Sequence, residues 1–357
     1  MEIEEHVPLA SRTTFRIGGN ARFFSHIRSR EELRQAFAFA QRRDLPAFLL
    51  GGGSNTLASD AGFDGLVIKV GLSGVVLEHD ASGVLLISAA GEPFDAVVAR
   101  AAQEGLWGVE NLSGIPGSVG GAVAQNVGAY GVALCERLVW VETFDPKTGK
   151  FERLTSDDCR FGYRDSIFAH SQKVVLSAAF ALSRAPTPNL SYKDLRVHFA
   201  EEQADWSLPN IRQAVLAIRC KKFPDLAKEG TAGSFFKNPT LSAERARAFK
   251  ERYPTLPLFP IPGTEDARIP LAFVLDRGLG LNGKSVGNAR LFERQPLVIV
   301  VRSGASSHEV VALADYVARK VFEVYRIATE WEVCMLGRKD GIPFSPRDGS
   351  YHACHFA

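Results

Sequence analysis

The sequence predicts an α+β protein of two or three domains, and three observations predict it. Its 357 residues exceed what one hydrophobic core accommodates, since single cores stop growing near roughly 250 to 300 residues. Apolar runs of strand length and helices with one apolar stripe are interspersed along the chain, without internal repeats or low-complexity tracts. Hydrophobic residues make up 46% and charged residues 23%, a balance that supports large buried cores and excludes disordered and fibrous architectures. A binding cleft between domains is the expected consequence.

The elements follow in order. Ser29-Arg30-Glu31-Glu32 has capping-box form, and Leu33, Ala36, Phe37 and Ala40 repeat at helical spacing, which predicts a helix ending near Arg43. Pro46 to Leu50 and Leu66 to Val70 read as buried strands around Gly51-Gly52-Gly53-Ser54-Asn55, so residues 1–72 form a first unit. A second unit, 73–222, opens with a hairpin from Val75 to Ala89 turning at Asp80 to Gly83. A helix marked by Phe94, Val97, Val98, Ala101 and Ala102 follows and closes at Gly105. Beyond a glycine-rich stretch come a hairpin, Val139 to Phe144 and Phe151 to Leu154 about the Asp145 to Gly149 turn, and a strand from Val174 to Leu182. The prolines of Ala185 to Asn189 make a stiff connector, and Ile211, Ala214, Val215 and Ile218 define a helix that stops before Phe223-Pro224.

A third unit, 223–326, carries helices at Ser242 to Arg252 and Pro270 to Arg277 and a strand from Leu297 to Val301. Its long helix follows the capping box Ser306-Ser307-His308-Glu309, with Val310, Leu313, Ala314, Val317 and Val321 as its buried stripe. Residues 327–340 return as a strand, and 341–357 read as an irregular tail.

Lysine and arginine number 42 against 40 aspartates and glutamates, so no global field attracts nucleic acid or an anionic membrane, and any basic site is local. No apolar run is long enough to span a bilayer, and the acidic start Met1 to His6 lacks a secretory signal, which makes the cytoplasm the expected location. Cys135, Cys159, Cys220, Cys334 and Cys354 are odd in number with no C-x-x-C pair and read as free thiols. His352, Cys354 and His355 have no second cluster to complete a metal site, so no metal is expected.

Two glycine loops can present successive backbone amides to phosphate oxygens: Gly51-Gly52-Gly53-Ser54-Asn55, and Ser113-Gly114-Ile115-Pro116-Gly117-Ser118-Val119-Gly120-Gly121 leading to Asn126, Gly128, Ala129 and Tyr130. A short helix opening after the second loop would add its dipole. Neither matches G-x-G-x-x-G or G-x-x-x-x-G-K-[ST], which disfavours a Rossmann site or a P-loop, and either can equally be a tight turn. Arg164, enclosed by Phe161-Gly162-Tyr163 and Asp165 to Phe168, can fork onto a substrate carboxylate or form a structural pair with Asp165 or another carboxylate. Ser234, before Phe235 and Phe236, can be a desolvated donor or a turn serine; the elbow G-x-S-x-G fails because Ala232 and Phe236 replace its glycines. Alternation from Glu330 to Leu336 puts Trp331, Val333 and Met335 on one face and Glu332, Cys334 and Leu336 on the other, so Glu332 is either a buried carboxyl of raised pKa or a solvated strand end.

Taken together, T-T-F-R-I-G-G at Thr13 to Gly19, G-G-G-S-N, I-P-G-S-V-G-G, Q-N-V-G-A-Y-G, F-G-Y-R-D-S-I-F and G-S-F-F-K-N-P resemble, in type and order, the UDP-N-acetylenolpyruvoylglucosamine reductase family over about Ser11 to Gly337. The resemblance implies non-covalent FAD held by two α+β subdomains of the vanillyl-alcohol-oxidase-like (PCMH) type, NADPH as hydride donor, and a third domain completing a UDP-sugar site. It implies Arg164, Ser234 and Glu332 as catalytic residues, and Tyr163, the capping-loop Tyr192 of the longer subtype, Lys222 and Asn238 as substrate contacts. No protein partner is implied. Gly287 to Gln295 departs from the family's substrate-side glycine and histidine pattern.

The implied chemistry is hydride delivery to the vinyl carbon of an enolpyruvyl ether, with the charge on the neighbouring carbon stabilised by Arg164 and protonated Glu332 and quenched by a proton from Ser234. Competing readings are a flavin oxidase of the same fold, although neither loop offers a histidine or cysteine for tethering, and a non-catalytic binding protein, which retention of all three residues disfavours.

Overall fold

The computed structural model describes residues 1–80, 83–200 and 205–337; the tail reading for 341–357 and the His352, Cys354 and His355 group lie outside the described residues. The first lobe is a four-stranded sheet ordered β1 (Glu4–Pro8), β2 (Asn20–Ile27), β5 (Phe63–Val70), β3 (Ala47–Leu50), antiparallel between β1 and β2 and parallel elsewhere. Helix α1 (Arg30–Arg42) covers it, with Ser29 Oγ accepting from Glu32 N–H and Leu33, Ala36 and Ala40 buried. The Glu32 carboxylate accepts from Arg28 N–H at 2.6 Å, so the return arm of the expected capping box is displaced by one residue. Strand β4 (Thr56–Ala58) was not foreseen, because three residues beside a glycine loop carry no periodicity.

The second lobe is an antiparallel sheet ordered β11 (Lys150–Thr155), β10 (Leu138–Asp145), β12 (Val174–Leu182), β7 (Gly83–Ala89), β6 (Val75–Asp80). Both expected hairpins are present, with Gly149 in left-handed backbone at φ +69°. Helix α2 (Phe94–Gln103) ends at Gly105, φ +71°, as expected, and α3 (Val119–Ala124) and the two-residue ribbon β8 (Gly128–Ala129) and β9 (Val132–Ala133) follow. Helices α4 (Lys193–His198) and α5 (Leu208–Lys222) pack on this lobe through Leu195, Ile211, Ala214, Val215 and Ile218. The two lobes share one core, in which Leu49 and Ile68 of the first join Val84, Leu86 and Phe94 of the second.

The third lobe is a sheet ordered β13 (Gly230–Ser234), β19 (Gln295–Val301), β18 (Ala289–Phe292), β17 (Ser285–Val286), with a small sheet of β14 (Thr240–Leu241), β16 (Ala267–Arg268) and β15 (Phe259–Pro260). Helix α6 (Ala243–Arg252) is capped by Ser242, and the helix expected from Pro270 to Arg277 is one α-turn, α7 (Leu271–Phe273), widening into π-geometry over Val274–Gly278. Helix α8 (Ser307–Tyr325) carries the full capping box of Ser306 and Glu309, and its five expected stripe residues are fully buried. Phe15, Ile17 and Leu57 belong to this core, so the N-terminal run enters the third lobe. Strand β20 (Cys334–Leu336) returns to pair in parallel with β4. Its two-faced reading holds: Cys334 and Leu336 enter the first-lobe cluster, while Trp331, Val333 and Met335 pack on the third.

Candidate active site

The two glycine loops meet backbone to backbone. A Cβ on Gly52 would lie 2.3 Å from Gly117 Cα, and Gly117, at φ +112°, would bring one to 2.6 Å from Ser54 Oγ, which donates to Pro116 C=O at 3.1 Å. Gly121 differs: it lies in α3 with ordinary helical backbone, and its nearest obstacle is Ser118 Oγ at 3.6 Å. Among the described residues the N–H groups of Gly52, Gly53, Ser54, Gly117 and Ser118 find no protein acceptor, which leaves a cluster of donors at the junction. Donors that lie idle in one place are what an anion needs.

Other residues of the two loops hold the junction in shape. Asn55 Nδ2 donates to Glu332 C=O at 2.9 Å, and Asn55 C=O accepts from Cys334 N–H, which ties the first loop to the returning strand. Ser113 Oγ donates to Glu110 C=O, and Gly120 N–H donates to Ala90 C=O. Gly114 is clamped from both sides, its N–H by Asp95 Oδ1 at 2.6 Å and its C=O by Arg219 Nε at 3.1 Å; Ile115 packs half-buried on the shared core. Asn126 Nδ2 donates to Gly162 C=O at 2.8 Å, which fixes the turn that carries Arg164.

Arg164 occupies that turn at φ +54°, a conformation that costs a side-chain-bearing residue about 1–3 kcal/mol and is often found at functional sites. Its Nε donates to Glu332 Oε1 at 2.9 Å and its Nη2 to Gly128 C=O at 2.7 Å, while Asp165 accepts from His170 instead. The arginine therefore pairs with the distant glutamate and not with its neighbour. Burial pushes the Glu332 carboxyl above its ordinary pKa, against the pull of Arg164 and Lys237.

Ser234 ends β13 after a bulge at Gly233, φ +76°. Glu332 N–H donates to Phe235 C=O at 2.8 Å and Trp331 bridges Phe236, so the serine stands one residue from the strand pair that presents Glu332. Its hydroxyl makes no hydrogen bond to protein among the described residues.

Of the remaining expected contacts, Tyr163 and Asn238 adjoin this centre, whereas Tyr192 and Lys222 cluster on Tyr130. Tyr163 accepts from Asn238 N–H at 3.4 Å under the Arg268 guanidinium, 3.9 Å from its ring, and Asn238 Oδ1 accepts from Leu271 N–H. Tyr192 stands edge-on to Tyr130, 5.1 Å between centroids, with Lys222 Nζ 5.3 Å from its ring and bonded to Asp194. That bond holds the Lys222 ammonium above its ordinary pKa in spite of burial. Ala129 joins Gly128 in the ribbon beside Arg164.

Sequence reasoning missed Asp95, Asn111, Asp194 and Arg219. Asn111 Nδ2 donates to both Tyr130 and Asn189 C=O at 2.8 Å, stitching the second loop to the Tyr192 segment. Arg219 carried a usable signal, standing three residues before Lys222 on one helix face. In the departing stretch Gly287 to Gln295, Phe292 is buried with Val298 and Val300 against Phe223.

Comparison with known proteins adds three findings. Residues 21–155 match the family model described as FAD binding domain, and 225–336 match the C-terminal domain of UDP-N-acetylenolpyruvoylglucosamine reductase. The chain is 38% identical to the protein of that name from Paraburkholderia xenovorans, covering 92% of this chain and 96% of the relative, and 34% identical to that of Pseudomonas syringae, covering 93% and 98%. The crystal structure of the reductase from Thermus caldophilus superposes with a TM-score of 0.66 at 27% identity, over 94% of this chain and 99% of that one.

Proposed function

This chain belongs to the UDP-N-acetylenolpyruvoylglucosamine reductase family, and from that premise we propose that it reduces UDP-N-acetylglucosamine enolpyruvate to UDP-N-acetylmuramate for peptidoglycan synthesis, with NADPH as donor. The observation that carries the reading is the Arg164–Glu332 contact at 2.9 Å, assembled across 168 residues beside the unbonded Ser234 hydroxyl. In this reading residues 1–72 and 73–222 are the flavin-binding subdomains, 223–326 binds substrate, and 327–340 delivers Glu332.

FAD fits the residues present: the Gly52–Gly117 junction admits no Cβ, and its idle N–H groups suit a diphosphate, with Gly53, Ser54 and Ser118 as the other donors. When bound, FAD carries the hydride between NADPH and the enolpyruvyl double bond. Arg164 orients the substrate carboxylate, and Glu332 in its protonated form donates a hydrogen bond to the same oxygens, so charge arising beside the carboxylate meets preformed donors. Ser234 Oγ gives its proton to the carbon next to the carboxylate, which completes addition of hydride and proton across the double bond. Tyr163, Tyr192, Lys222 and Asn238 hold the UDP portion.

The test is a visible spectrum followed anaerobically. A bound flavin spectrum, bleached by NADPH and restored by UDP-N-acetylglucosamine enolpyruvate, is expected. Absence of flavin, or restoration only by oxygen, overturns the reading.

A further inference from the structure

We propose that the cavity behind the first glycine loop is a second anion site, bordering the flavin site at Gly52 and distinct from the sugar-nucleotide site, which takes the phosphoryl groups of a small metabolite. It lies at the T-T-F-R-I-G-G run, which the catalytic reading leaves without a task. The cavity measures about 390 Å³ and is walled by Arg12, Thr13, Arg16, His26 and Lys69, with Gly52 at one edge; no carboxylate lines it.

Arg16 and Lys69 have only neutral hydrogen-bond acceptors, and Arg12 has one long ion pair. Arg16, held at φ +59°, donates to the carbonyls of Leu226 and Ala227, neutral acceptors that leave its charge unpaired. Lys69 likewise donates to a carbonyl, that of Gly51, and burial followed by the nearby Arg12 lowers its pKa. Arg12 has its closest carboxylate, Glu4, at 4.0 Å on the exposed surface. The imidazole of His26 is depressed by burial and by Arg28, Lys69 and Arg12, against Glu32 alone, so the pocket's field is positive.

Three cations, with no carboxylate among the lining residues, match the charge of a phosphoryl group. A neighbouring cavity of about 570 Å³ shares Arg16 and adds Lys228 and Arg302. Its one carboxylate, Asp60, is already engaged by the N–H groups of Ser307 and His308. The pair therefore has room for the organic part of a phosphate ester.

The experiment is calorimetric titration of the FAD-loaded protein with inorganic pyrophosphate in phosphate-free buffer, with ADP as a second titrant. Saturable binding is expected, weakened at least tenfold by Arg12→Gln and by Arg16→Gln, and not displaced by UDP. Tighter binding of ADP would point to a nucleotide as the ligand, and equal or weaker binding to an inorganic anion. Absence of binding to the FAD-loaded protein, displacement by UDP, or unchanged affinity in both variants overturns the site. None of those results touches the anaerobic reduction test above.

Discussion

Arg164, Ser234 and Glu332 were legible one by one as residue types in suggestive surroundings, and only the family resemblance, not any local pattern, implied that they act together. The local candidate partner of Arg164 was Asp165, which bonds His170, whereas the real partner lies 168 residues on, a separation that no local pattern encodes. Ser234→Ala should leave bleaching of the flavin by NADPH near its normal rate and slow its restoration by substrate about 10²- to 10⁴-fold, the range of general acid catalysis. Stopped-flow absorbance separates the halves, and an equal fall in both would assign the serine to positioning. Glu332 adds a pH signature. Its folded pKa is raised chiefly by burial, so the folded form holds the proton more firmly than the unfolded chain does. The carboxyl therefore contributes stability below the ordinary glutamate range and loses it as pH rises through the raised value. Turnover should fall over the same window, and Glu332→Gln should flatten that limb of the kcat profile while lowering its plateau.

At the scale of elements, periodicity and caps placed α1, α2, α5, α6, α8 and both hairpins, because each presents a stripe or a turn signal within a dozen residues. It did not reveal β4, the ribbon β8–β9 or the widened turn after α7, all too short or too dependent on neighbours to leave a pattern. The glycine loops could be read as anion nests, but their mutual contact could not, and this alters what each glycine is for. Gly117→Val should weaken FAD retention at least tenfold, since a β-branched residue at φ +112° costs roughly 1–3 kcal/mol and meets Ser54. Gly121→Val, with open space and helical backbone, should change it less than threefold. Fluorescence of released flavin measures both, and equal losses would mean that α3, not the loop junction, governs retention.

For the whole molecule, an α+β chain in several units was legible from length and pattern, whereas the fusion of two units into one core and the insertion of Phe15 and Ile17 into the third were not. Both depend on contacts that only the folded chain brings together. The one G-x-G-x-x-G of the sequence, Gly278 to Gly283, leads from the widened turn after α7 into β17 and not from a strand into a helix, so it is no Rossmann turn, and NADPH and sugar nucleotide are expected to use one cleft in turn. Initial rates should give parallel double-reciprocal lines, with inhibition at high enolpyruvyl substrate. Intersecting lines, or both ligands bound at once to the oxidised protein, would require a separate nucleotide pocket.

The parallel pairing of β20 with β4 bears on how the protein is born. Asn55 and the Glu332 carbonyl it holds are 277 residues apart, a lag on the order of tens of seconds when a ribosome adds about 5–20 residues per second. The early loops can emerge and take up FAD well before the glutamate exists, so a nascent or prematurely terminated chain acquires its colour first and its chemistry last. Chains arrested short of residue 332 are expected to retain flavin yet fail to hand a hydride to the sugar nucleotide, which confines reductase activity to finished molecules.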